Sequence, residues 1–193
     1  MVPAPLRPAV QAVPRAITAR LGSWHVTLVE DLGGGEIASQ WTAAPGGLEI
    51  TVATRDVSPH DVALELLVCL GQALWEKSLP AEREAYWKML AAEMEAGVAG
   101  EIDERALREK QALLAGRLSA RSRRRLERYA QASFAGTVAE YIHCLWHDVK
   151  IRRGPRHLPA RWLRRRLETI VRWFPPNRGY RLFARPPVRK SSG

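Results

Sequence analysis

Three potential metal ligands follow one another at helical spacing between residues 140 and 147. Glu140, His143 and His147 are separated by three and four residues, which places them on one face of a helix. Carboxylate di-metal proteins use two copies of Glu-x-x-His together with further glutamates, whereas this chain has one copy. A site built from these residues needs another ligand, for which Glu65 and Cys69 are the candidates. The sequence by itself therefore assigns no metal and no cofactor.

The two cysteines, Cys69 and Cys144, could serve as nucleophiles only beside a histidine in an exposed cleft. Cys144 directly follows His143, so their side chains point about 100° apart on a helix. Both cysteines fall in apolar helical stretches, which favours buried, structural and reduced thiols. A disulfide between them stays open at this point, and we predict no catalytic residue.

Two rows of polar residues run along apolar helices. The first comprises Glu65, Cys69, Gln72 and Glu76, and the second comprises Thr137, Glu140, His143, Cys144 and His147. We hypothesise that the rows face each other across a cleft, with Glu65, Cys69, Gln72, Glu140, His143 and His147 as its candidate residues. The alternative is a pair of hydrogen-bonded polar rows inside a core, because buried polar groups need partners.

The C-terminal part of the chain is strongly basic. Of a net charge of +10, residues 1–118 hold 11 Lys/Arg and 16 Asp/Glu, and residues 119–193 hold 19 and 4. Arginine suits bidentate phosphate contacts, so nucleic-acid binding is the alternative function. Its candidate residues are Arg121, Arg123, Arg124, Arg125, Arg164, Arg165 and Arg166. No nucleic-acid-binding motif accompanies them, and the excess of 25 Arg over 5 Lys is also typical of a GC-rich genome.

The elements that must position these residues follow from hydrophobic periodicity. Alternating patterns predict strands at 23–30, 36–43 and 48–54, joined by Gly-rich turns into an antiparallel meander. Periodic apolar residues predict helices at 11–21, 58–77, 81–97, 103–115, 119–148 and 160–174. We expect one α+β domain over residues 11–183, with a flexible leader at 1–10 and a disordered basic tail at 184–193.

No apolar run approaches the ~20 residues of a membrane-spanning helix. The first 22 residues contain four prolines and no continuous apolar stretch, which does not fit a secretory signal. We therefore expect no membrane span and a cytoplasmic location.

The stretch VCLGQALW, residues 68–75, resembles the H-E-L-G-H-A-L form of the zincin metallopeptidase helix. Leu70, Gly71, Ala73 and Leu74 match, and the order of a helix, a meander and a buried helix is also similar to the zincin fold. The resemblance places Val68, Cys69 and Gln72 at the two zinc-ligand positions and the general-base position. It further implies that Glu140 stands where a later helix would supply the third ligand.

Valine has no donor atom for zinc, and one cysteine does not rebuild a site of three or four ligands. The resemblance therefore implies a zincin-like fold that has lost peptidase chemistry. We expect no enzyme activity and a binding or structural role, with an unidentified protein partner or small ligand.

Overall fold

The structure, a computed structural model, describes residues 6–33, 38–115, 120–147 and 154–182. In chain order its elements are α1 (Arg7–Ala12), α2 (Arg15–Leu21), β1 (Ser23–Val29), β2 (Ser39–Ala44), β3 (Gly47–Ala53), α3 (Pro59–Glu76), α4 (Pro80–Glu95), α5 (Glu104–Leu114), α6 (Ala120–Trp146) and α7 (Ala160–Trp173). The expected α+β class, a small sheet with a mainly helical body, is confirmed. The predicted bounds of the last five helices agree with α3–α7 within two residues.

The three strands form a mixed sheet in the order β1-β3-β2, so the predicted antiparallel meander is wrong. β2 and β3 are antiparallel and joined by the short Pro45-Gly46 turn, as the pattern predicted. β1 instead runs parallel to β3, with Ser23 opposite Gly47 and Val29 opposite Ala53. The nine residues between β1 and β2 exceed a tight hairpin loop, which lets β3 occupy the centre.

Helix α3 forms the centre of the domain. Ser58 caps its N-terminus by accepting a hydrogen bond from the Asp61 amide, and a proline occupies its first turn. One side of α3 packs on the sheet, where Leu48, Ile50 and Val52 are buried as their alternation predicts. The other side packs on α6 along most of its length.

The crossing of α3 and α6 depends on Gly71. A Cβ atom at this position would lie 2.7 Å from the Cα and carbonyl oxygen of Ala135. Only glycine allows the two backbones to approach this closely. The helices run antiparallel, because His60 at the start of α3 contacts His147 while Trp75 near its end bonds to Glu127.

The N-terminal leader is shorter than predicted, since α1 begins at Arg7 and its neighbours are in the core. Leu6 is 1% exposed and Ala9 is fully buried. A break at Val13 separates α1 from α2, because the residue before a proline is disfavoured in the helical conformation. Residues 1–5 and the predicted tail 184–193 lie outside the described residues. None of the described helices is both long and apolar enough to cross a bilayer.

Candidate binding cleft

A cleft of about 310 Å³ opens between α3, the start of α5, α6 and the start of α7. Its apolar wall consists of Leu64, Val68, Ile102, Ala139, Leu158 and Leu163. Its polar side chains are Glu65, Glu101, Asp103, Glu104, Glu140 and His157. A second groove of about 530 Å³ adjoins it and shares Glu65, Val68, Asp103 and Glu104, and its lining also includes Arg105 and Arg108.

The electrostatic character of the cleft is acidic. Five carboxylates line it, and no lysine or arginine is among its described lining residues, but the Glu101 side chain is fully buried and paired with Arg166 and Lys110. Glu65 accepts a hydrogen bond from Ser39 Oγ at 2.8 Å, and Glu104 pairs with Arg156 at 2.5 Å near the rim. Glu140 comes from the opposite helix and its carboxylate has no arginine or lysine partner in the described residues. Glu65 and Glu140 therefore place negative charge beside an apolar wall.

Asp103 is held at the base of the cleft by its role in α5. Its side chain caps that helix and accepts a 2.8 Å hydrogen bond from the Ala106 amide. Burial raises the pKa of this carboxyl group above its ordinary value, although the cap hydrogen bond opposes the rise. A Cβ atom on Gly136 would lie 2.0 Å from Asp103 Oδ2, so the glycine in α6 makes room for the carboxylate.

The structure brings some of the predicted cleft residues together. Glu65 and Glu140 line one cleft from facing helices, and Val68 lies between them. Cys69 is fully buried, and neither it nor Gln72 is part of the lining. His143 also lies outside the lining.

Both cysteines are free thiols. Burial raises the pKa of Cys69 to about 11, with the nearby charge of Glu65 adding to the effect and a hydrogen bond with Ser39 opposing it. Burial, together with the charge of Glu140, also raises the pKa of Cys144. Each thiol is therefore protonated at neutral pH, which is the unreactive form.

A cluster of rings forms where the C-terminal end of α6 meets the start of α3. The ring centroids of His60, His143 and His147 are 5.0–5.3 Å apart, and Trp146 packs against all three. His60 had no signal in the sequence, because it is distant along the chain and reaches the cluster only through helix packing. In the same region, the donor atoms of Glu140, His143 and Cys144 lie within 4.8 Å of one another.

A buried network of charges is the largest feature that sequence reasoning missed. It joins Glu93 of α4, Glu101, Lys110 of α5 and Arg166 of α7, whose side chains are all 0% exposed. Arg166 donates from Nη1 to Glu101 at 2.8 Å and from Nε to Glu93 at 2.9 Å. Lys110 donates to the Glu101 carboxylate at 3.2 Å, and Tyr129 donates to it at 2.5 Å. The network has two positive and two negative groups and is neutral.

The position of Arg166 corrects its assignment to a nucleic-acid surface, because a fully buried side chain offers nothing to a phosphate. Of the other candidates, Arg123, Arg124, Arg164 and Arg165 are exposed, and Arg125 is half-buried. The side chain of Arg121 lies outside the described part of the chain.

Further arginines contribute to an open groove of about 1070 Å³ beside α7. Arg165, Arg172 and Arg181 line it together with Tyr180 and one carboxylate, Glu168. That carboxylate pairs with Arg164 at 2.8 Å. Arg165 is one of the candidates from the sequence, and the structure adds Arg172 and Arg181 to it.

No family model, no curated protein and no solved structure matches this chain. Its function is therefore inferred from its own side chains.

Proposed function

We propose that this protein is a binding module without peptidase chemistry at the positions of its zincin resemblance, and that its acidic cleft takes a small cationic ligand. The observation that carries the proposal is the composition of the cleft, where Glu65 and Glu140 meet an apolar wall without a lysine or arginine in the described lining. A basic side chain of a peptide, with an aliphatic stem and a charged end, fits such a surface.

The size of the cleft supports a small ligand. Its volume of about 310 Å³ lies at the lower end of the range for small-molecule pockets. Glu65 and Glu140 line the cleft from facing helices, and carboxylates are the acceptors that guanidinium and ammonium groups bind most strongly. The ligand class is therefore an arginine-like or lysine-like group on a short peptide.

The expectation of no peptidase activity rests on the residues at the positions that the zincin resemblance assigns. Val68 faces the cleft without a donor atom, Cys69 is buried as a neutral thiol, and Gln72 is a weak zinc ligand. None of the three can activate a water molecule. We expect purified protein to show no peptidase activity on unstructured substrates.

Titration with Nα-acetyl-arginine methylamide, followed by amide NMR spectra, tests the binding proposal. We expect shifts at Glu65, Val68, Gly136 and Glu140, and none with the matching glutamate derivative. Because hydrogen bonds to charged groups contribute ~1.5–3 kcal/mol, E65Q and E140Q should each weaken binding by about tenfold or more. E84Q, an exposed carboxylate on α4, is the control and should bind as the wild type does.

Equal affinity of the wild type, E65Q and E140Q would contradict the proposal. So would shifts confined to residues outside the cleft. A circular dichroism spectrum of each variant establishes that the fold is retained.

A second candidate function, nucleic-acid binding, is favoured by the groove beside α7. Arg165, Arg172 and Arg181 converge there, and Tyr180 offers a ring on which a base can stack. Fluorescence anisotropy with a single-stranded oligonucleotide should then show affinity falling ~10³-fold or more between low and moderate salt. Alanine at each groove arginine should weaken binding, whereas K88A on α4 should not. Affinity that is insensitive to salt would exclude this function.

A further inference from the structure

The last two turns of α6 place three different metal-binding groups around one point. Glu140, His143 and Cys144 stand at positions i, i+3 and i+4 of the helix, on one face. One donor atom from each lies within 4.8 Å of the others, and the described residues contain no other such group. We propose that these three side chains bind one divalent transition-metal ion of the zinc class.

The state of His143 is the strongest observation behind this proposal. Both of its ring nitrogens are buried, and neither has a hydrogen-bond partner among the described residues. Glu140 Oε2 is 3.7 Å from Nδ1, which is beyond hydrogen-bond distance. Buried polar atoms are nearly always satisfied, so an imidazole with two unsatisfied nitrogens calls for a ligand.

The combination of donor types identifies the class of ion. A thiol and an imidazole select zinc and related borderline metals, whereas calcium and magnesium prefer oxygen ligands alone. Cys144 Sγ is already 3.5 Å from Glu140 Oε1, so both atoms face the same space. Zinc ligands lie ~2.0–2.3 Å from the metal, so donors bound to one ion lie within about 4.6 Å of each other, close to the present limit of 4.8 Å.

A fourth ligand is available from the neighbouring histidines. The centroids of the His60, His143 and His147 rings are 5.0, 5.2 and 5.3 Å apart. Imidazoles that share a tetrahedral zinc ion, with Zn–N distances of ~2.0–2.1 Å, have their centroids ~5 Å apart. An imidazole from His60 would connect α3 to α6 through the metal, and one from His147 would complete the site from the residue that directly follows α6.

This site differs from the cleft and from the zincin positions. His143 and Cys144 do not line the cleft, and Val68, Cys69 and Gln72 are not among the proposed ligands. Glu140 is the one residue shared with the cleft. The metal site therefore does not depend on binding of a cationic ligand, and loss of that binding in E65Q would leave metal binding intact.

Titration of untagged, chelator-treated full-length protein with Co²⁺, and then with Zn²⁺, tests the proposal. We expect one Co²⁺ per chain and a thiolate-to-cobalt charge-transfer band, which Zn²⁺ abolishes by displacement. H143Q and C144S should each weaken binding by more than ~100-fold, the upper range reported for supporting residues of metal sites. C69S removes the other buried thiol and is the matched control, with unchanged affinity. Reduced affinity in H60A or in H147A identifies the fourth ligand.

Three results would overturn the proposal: the lack of a charge-transfer band in the wild type, its loss in C69S with retention in C144S, or unchanged affinity in H143Q. If C144S does not fold, the band in the wild type and its loss in H143Q decide the question. Cadmium NMR of the wild-type protein gives a check that needs no variant, because the chemical shift reports the number of thiolate ligands. A shift without any sulfur contribution would contradict the assignment of Cys144.

Discussion

Replacing Arg166 by methionine should destabilise this protein more than any other single loss of charge in the described residues. The side chains of Arg166, Glu93 and Glu101 are 0% exposed, and the guanidinium group donates to both carboxylates. Without it, Glu93 loses its ionic partner and Glu101 keeps only Lys110 and Tyr129. Removing one partner of a buried ion pair costs about 3–5 kcal/mol, because a charge is left in a medium that solvates it poorly.

The expected loss in the free energy of unfolding of R166M is large relative to the stability of a domain of this size, which is about 5–15 kcal/mol. Urea unfolding followed by far-UV circular dichroism measures the free energy of unfolding of R166M and the wild type. R164M is the matched control, because Arg164 is on the same helix but exposed and paired with exposed Glu168. Its free energy of unfolding should stay within about 0.5 kcal/mol of the wild-type value.

A variant that removes the whole network provides a second, independent check. Combining R166M with Glu93→Leu, Glu101→Leu and Lys110→Met leaves no charge in the network, so this fourfold variant should be less destabilised than R166M alone. The reasoning is refuted if R166M lowers the free energy of unfolding by less than about 1 kcal/mol. It is also refuted if the fourfold variant is less stable than R166M.

Three further predictions follow from burial and close packing. Burial alone would raise the pKa of Glu101, but the charge and hydrogen bonds of Arg166 and the charge of Lys110 lower it from 4.5 to about 2. The associated ~3 kcal/mol of stability is present above pH 4.5 and is lost as the pH falls toward 2, which acid unfolding curves measure. Gly71→Ala should lower the free energy of unfolding, measured in urea, by about 1–3 kcal/mol, because the added Cβ would meet the backbone of Ala135. An unchanged free energy of unfolding would mean that the two helices separate easily. Cys69, with a pKa of about 11, should resist iodoacetamide at pH 7 and react after unfolding, as mass spectrometry can show.

The helices could be predicted from sequence because their apolar faces and end signals are local. The buried charges were also visible in part. Arg166 lies three residues after Leu163 and four before Ile170, which places it on the apolar stripe of α7. Glu93 and Lys110 likewise stand among buried residues of their own helices. Local spacing does not show which of these charged side chains pair with each other, because the three helices meet only in the folded domain.

The sheet and the ring cluster show the same limit. The two-residue turn between β2 and β3 determines that these strands pair with each other. The longer connection after β1 allows β1 to pair with either edge of this hairpin, and in the structure it pairs with β3. His60 and His143 are adjacent because α3 and α6 run antiparallel, which their individual periodicities do not encode. The candidate cleft was predictable to the extent of Glu65 and Glu140, whereas Asp103, Glu104 and His157 came from other elements.

The neutral network also bears on the order in which the chain can complete its folding. During synthesis Glu93, Glu101 and Lys110 leave the ribosome before Arg166, and domains generally fold from their N-terminal end. A nascent chain without α7 would have to bury two carboxylates with a single ammonium group. The core between α4, α5 and α6 should therefore stay hydrated until α7 arrives, and the arrival of Arg166 would be the step that expels water from it.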